Sequence, residues 1–321
     1  MKRLAFALAG ALLALAAPLH AQAPSLPALP GRIAPTKVLA FDGRLTRAET
    51  AALAAEADRI LFAPLLRTPA LAAPRGFSIN RSLSIKPPAR GVLQGGPSSA
   101  RGNIVLLGVN PAGGSKPDAA GAYNGVGEGP AIQFTLNDPT ALFANMDSDE
   151  TRPAFMELDL SAPPRGGFTV LRLGVTQLIV VAKPGKLPYR YVTKAELLER
   201  EIADRAEALA QLAANAAPVL RKAQADQQAE LAALPPGERA APACVGGERR
   251  RGASSPCDDR GARYMVTIDP GYFDPKAPRT AIQLVTIGVG APHRDEHKIL
   301  TPIARDAVAQ LDLNAIQRAL K

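Results

Sequence analysis

Two histidines stand together near the C-terminus, in His293-Arg294-Asp295-Glu296-His297. The spacing is H-x-x-E-H, a pattern that serves zinc-dependent peptide hydrolysis. On a helix, His293 and His297 would face one metal ion and Glu296 would activate a bound water. Pro292 directly precedes the motif, however, and no apolar helical pattern runs through it. That chemistry also needs a further Glu downstream, and no Glu follows Glu296. The segment therefore reads as a charged loop before a last helix. Metal binding through His293, Glu296 and His297 is the lesser alternative, and no cofactor is expected.

The two cysteines, Cys244 and Cys257, bracket a glycine-rich, basic stretch. An even count in an oxidising compartment favours a disulfide. A redox pair would want C-x-x-C at a helix start, and that spacing is absent. Between the cysteines, Arg249-Arg250-Arg251 forms a cationic tip. It reads as solvated, with an anion-binding role toward a phosphate-bearing polymer as the alternative.

Other chemistry is less well supplied. The chain has no G-x-S-x-G elbow, no S-x-x-K pair and no G-x-x-x-x-G-K-[ST] loop. Gly125-Val126-Gly127-Glu128-Gly129-Pro130 places Pro where a phosphate cradle needs its third Gly, and a strand follows instead of a helix. Asp147-Ser148-Asp149-Glu150 begins like a calcium loop, but Thr151 and Arg152 break the pattern. Paired carboxylates leave no linear signature, so acid-base hydrolysis stays open.

Something must position whatever chemistry exists, and the first clue is the leader. Lys2 and Arg3 precede an apolar run from Leu4 to Leu19, and Ala21-Gln22-Ala23 follows. This is the signature of a cleavable Sec-type signal peptide over residues 1–23, cut after Ala23. The expected compartment is the periplasm, or alternatively the medium. No later segment is apolar and long enough to span a bilayer. The net charge is +9, and loss of Lys2 and Arg3 leaves +7. Such a chain attracts an anionic envelope polymer or another envelope protein. Trp is absent and aromatics are 4% of the residues, which argues against a nucleic-acid stacking platform, so no nucleic-acid partner is expected.

At 47% hydrophobic residues, the chain has material for a substantial core. Residues 24–45 read as a proline-rich extended lead-in, and 46–321 as a single domain with a stapled loop at 244–257. Thr46 and Glu49 form a capping box for a helix running to about Phe62, where Pro64 stops it. Strands are expected at 77–85, 103–109, 131–136, 154–160, 168–173, 175–182, 262–268 and 280–289. A second capping box, Thr193 with Glu196, opens a long helix expected to kink at Pro218. Thr301-Pro302 marks the start of a C-terminal helix, broken at Asp312. The order gives an α+β fold: an antiparallel or mixed sheet of short strands, flanked by an N-terminal helix, one long kinked helix and a C-terminal helix.

Two stretches carry a resemblance. They are Leu187-Pro188-Tyr189-Arg190-Tyr191-Val192-Thr193-Lys194-Ala195-Glu196-Leu197-Leu198, and Asp269-Pro270-Gly271-Tyr272-Phe273-Asp274 with the following Pro278-Arg279-Thr280-Ala281-Ile282-Gln283-Leu284. Both resemble a recurrent pattern in uncharacterised bacterial exported proteins, and the resemblance implies export without assigning a catalytic residue. The function expected from the sequence is non-catalytic binding in the envelope. The alternative is a carboxylate-based envelope hydrolase.

Overall fold

A computed structural model describes residues 28–88, 96–143, 155–174, 176–211, 217–249, 254–290 and 297–321. The leader at residues 1–23, the acidic turn at 147–150, and Arg250, Arg251, His293 and Glu296 lie outside the described residues.

The strands are β1 (Ile33–Ala40), β2 (Phe77–Lys86), β3 (Ser99–Gly108), β4 (Ala131–Leu136), β5 (Met156–Leu158), β6 (Thr169–Leu173), β7 (Thr176–Val181), β8 (Tyr189–Tyr191), β9 (Cys244–Val245), β10 (Arg263–Ile268) and β11 (Val285–Val289). The helices are α1 (Arg47–Ala57), α2 (Ala63–Leu66), α3 (Lys194–Gln211), α4 (Ala217–Ala233), α5 (Pro236–Arg239), α6 (His297–Ala309) and α7 (Leu313–Ala319). The class is α+β with a mixed sheet. Seven strands run in the order β1-β2-β3-β4-β11-β7-β6, and a smaller sheet joins β10 to β5, β8 and β9. Only the β1–β2 pair in the large sheet is parallel; the rest alternate.

Strand alternation explains the layering. In β2, Phe77, Ile79, Leu83 and Ile85 are buried, while Asn80 and Lys86 are exposed and Ser82 and Ser84 half-buried. The apolar set of the large sheet packs under α1, α6 and α7 in one continuous core. Its tightest point is Phe134, edge-on to Phe62 with centroids 4.8 Å apart. A side-chain carbon at Gly102 would come within 2.0 Å of the Phe134 ring, so only glycine fits beneath it. On the opposite face, Leu171, Leu178, Val180 and Leu284 pack against Leu158, Val266 and Ile268 of the small sheet. Tyr272 and Phe273 are buried in this second core.

Five sequence expectations change in detail, four of them in the helices and the lead-in. The lead-in contributes β1, an edge strand of the sheet rather than a tether to it. The first helix does not end before Pro64: Asp58–Phe62 form a π-helical turn, and Pro64 sits in the first turn of α2, where its missing N–H is tolerated. The long kinked helix is instead two helices, α3 and α4, folded as a hairpin. Pro218 stands at the start of α4, where proline favours initiation. Arg205 and Gln224 reach across the hairpin to Gln227 Oε1 and the Ile202 carbonyl. Finally, α6 begins at His297, so Pro302 lies inside it.

The strand expected over 280–289 starts only at Val285, because the preceding residues are claimed by side chains. Asn137, fully buried, donates to the carbonyls of Ser98 and Ala281 at 2.9 and 2.8 Å. Its Oδ1 accepts the N–H groups of Gln283 (2.7 Å) and Leu284 (3.3 Å). Its backbone is left-handed, with φ 53°, a conformation asparagine tolerates better than other side-chain-bearing residues. Cys244 and Cys257 form the expected disulfide, with Cα atoms 5.2 Å apart, and no thiol is free among the described residues.

Asn137→Ala strands buried polar groups and strains the backbone. It is expected to lower unfolding free energy by about 3 kcal/mol or more, read from the denaturant midpoint. Reducing the disulfide is expected to remove about 3 kcal/mol, seen as a lower thermal midpoint in dithiothreitol.

Candidate functional site

The small sheet covers only the β11-β7-β6 half of the large sheet's outer face. Over the middle of β2, β3 and β4 the outward positions are polar, while Val105, Leu107 and Ala131 occupy the outward positions at the other end. One cross-strand row runs Ser84, Arg101, Thr135, Thr286; the next runs Ser82, Asn103, Gln133, Gly288. Where the second layer begins, the step between layers forms a cleft of about 400 Å³.

Its floor is Gln133, Thr135, Thr286 and Gly288. The Thr135 and Thr286 hydroxyls are buried and hydrogen-bonded to each other at 2.7 Å. Gly288 keeps the floor open, because a side-chain carbon there would press on Leu178 and the Gln177 carbonyl. One wall is the turn after β4, with Asp138, Thr140 and Phe143, and Leu173 and Thr176 line the other side. At the mouth stand Lys86 and Arg101. Arg101 donates to Gln133 Oε1 at 3.2 Å. Asp138 is the one carboxylate lining the cleft among the described residues. Its Oδ1 already accepts the Thr140 N–H and hydroxyl, so it serves as the cap of the turn. The cleft therefore presents hydroxyls, an amide and two cations. That equipment binds polar or anionic groups.

A buried network fixes the end of the cleft where Lys86 and Ser99 lie. Asp42 receives a two-pronged contact from Arg44, at 2.9 and 2.7 Å, and the Ser98 hydroxyl at 2.6 Å. Ser98 in turn donates its N–H to the Arg279 carbonyl. Arg44 holds the Asp42 carboxyl down to about 2, with Ser98 assisting and burial opposing.

The residues singled out by sequence are placed as follows. Arg249 is described, and its guanidinium is occupied by Asp258 and Asp259 at 3.1 and 3.0 Å, which neutralises its charge. The Asp259 carboxylate also takes the Arg249 N–H. His297 opens α6, while the other members of its motif and the remaining arginines of the basic tip lie outside the described residues. Among the described residues, no group of three or more His, Cys, Asp or Glu is placed to hold a metal ion. No helix among them is long and apolar enough to cross a membrane. Arg101, Gln133, Thr135 and Thr286 were not anticipated. The available signal was the serine and asparagine alternation in β2, which marks a sheet face left uncovered. No protein-family model, curated protein or solved structure matches this chain.

The pH dependence of stability tests the Asp42 network. A carboxyl held below its unfolded value of 3.8 contributes stability that is complete above that pH and is lost as pH falls toward about 2. Wild-type unfolding free energy is expected to drop by about 2 kcal/mol from this source across that window. Asp42→Asn should remove that acid limb, as measured by urea midpoints over the pH series.

Proposed function

We propose that this is an exported, non-catalytic envelope protein that binds an anionic polar ligand in the cleft on the open sheet face. The observation that carries the reading is the cleft's composition. Two cations stand at its mouth, hydroxyls and an amide line its floor, and its one described carboxylate is tied up as a turn cap. A phosphate or carboxylate group would meet the Arg101 guanidinium, which offers several donors in a plane, while Lys86 adds a second charge. Gln133 and the threonine hydroxyls suit the hydroxyls of a sugar backbone.

The leader sequence and the Cys244–Cys257 disulfide support work outside the cytoplasm, in the periplasm or the medium. The net charge of +9, or +7 once Lys2 and Arg3 leave with the leader, supports attraction to the anionic polymers found there. The carboxylate-hydrolase alternative needs two acids facing one another across a cleft, and the described lining supplies Asp138 alone.

The test is calorimetric titration with phosphate-bearing cell-wall fragments. Arg101→Ala is expected to weaken binding about tenfold or more, the loss of one charge-assisted contact. Affinity should also fall as salt rises. Unchanged affinity in Arg101→Ala, or binding indifferent to salt, would overturn the reading.

A further inference from the structure

A second surface, remote from the cleft floor, has its own chemistry. Among the described residues, most of the exposed large hydrophobic ones cluster at one rim: Ile33, Val38, Leu39 and, 61% exposed, Phe41. They belong to β1 and the residue just after it, at the free edge of the seven-stranded sheet. Val38 lies beside Leu83 and Leu39 beside Ser84, so apolar side chains leave both faces of the sheet at this rim. Single exposed apolar residues are ordinary; a run of them at one corner marks an interaction surface.

The backbone of β1 argues against a partner strand. Its register shifts between Ile33 and Thr36, Pro35 offers no N–H, and Lys37 stands exposed mid-strand. A bulge, a proline and a lysine are the devices that blunt an edge against strand addition. The side chains are thus left available while the backbone is closed. Along residues 32–47 the exposed charges are cationic, and the flanking acids Asp58 and Glu49 are engaged by Arg81 and by Thr46. Arg32, Lys37 and Arg47 are exposed, and the acid in this stretch, Asp42, is buried and paired with Arg44.

We infer that this rim docks the protein peripherally on an anionic phospholipid surface. Phe41, Leu39 and Val38 enter the headgroup boundary, and Arg32, Lys37 and Arg47 meet the lipid phosphates. Apolar insertion flanked by cations is the arrangement of interfacial binding, and the two contributions reinforce each other. Charge complementarity decides the occupant: a second copy would bring the same cations against these, whereas an anionic leaflet neutralises them. The inference shares with the proposed function only its placement in the envelope. It does not depend on the cleft.

Vesicle sedimentation of the chain from Pro24 onward tests it. The wild type is expected to sediment with phosphatidylcholine vesicles containing phosphatidylglycerol, and not with phosphatidylcholine alone. Leu39→Ser combined with Phe41→Ser should lower partitioning about tenfold or more, at an unchanged thermal midpoint. Lys37→Glu should lower it about fivefold or more, as should raised salt. Equal partitioning of the wild type and the double variant would overturn the inference. So would light scattering that shows a wild-type dimer dissolved by the same substitutions, which would assign the rim to a second copy. Fragment binding in the cleft is read by titration, so either proposal can fail without the other.

Discussion

The carboxamide of Asn137 joins three segments that the chain delivers at distant points. It stands just past β4, donates to the carbonyl of Ser98 immediately before β3, and receives the N–H groups of the residues leading into β11. No other side chain of that length offers two donors and an acceptor and also accepts a left-handed backbone. Because Asn137 turns the chain there, Asp138, Pro139 and Thr140 fold back as a short 3-10 turn and become a wall of the cleft. One buried amide therefore sets both the centre of the large sheet and the lip of the candidate site. Gln283 extends the arrangement: its side chain takes Lys183 and the Asp274 N–H, while its carbonyl accepts the Tyr272 hydroxyl.

The cleft itself follows from unequal layers. The helices cover one sheet face from β2 across to β6, but the small sheet reaches only half of the other. An uncovered sheet face must be polar to remain in water, and the rows through Ser84, Arg101 and Thr135 satisfy that requirement. The polar groups needed for solvation are then also the groups that line the step between layers. Solvation and the lining of the candidate site are served here by the same side chains.

How much of this was legible depended on range. The capping boxes at Thr46 and Thr193 were readable because they are local, and both form as the residue types dictate. β4 was readable for the same reason, as a short apolar run between turn residues. β1 was not, since closely spaced prolines such as Pro30 and Pro35 are what one expects of a linker, and here Pro35 marks a blunted edge strand instead. β8 and β9 are too short to carry a period. The kink at Pro218 and the hairpin actually formed share one local signal; only packing between Arg205 and Gln227 separates them. The tripeptides Ala131-Ile132-Gln133 and Ala281-Ile282-Gln283 look alike, yet Gln133 faces the cleft and Gln283 is fully buried. Sequence identity over three residues carried no information about environment.

Strand order also bears on the timing of folding. Made from the N-terminus, the chain completes β2, β3 and β4 as neighbouring hairpin partners well before β11 exists. Asn137 and Gln283 are separated by 146 positions, so the middle of the sheet stays unclosed until nearly all of the polypeptide has emerged. Until then β4 is an open border strand, its edge unpaired where β11 will lie. Late closure of this kind slows folding and prolongs stickiness.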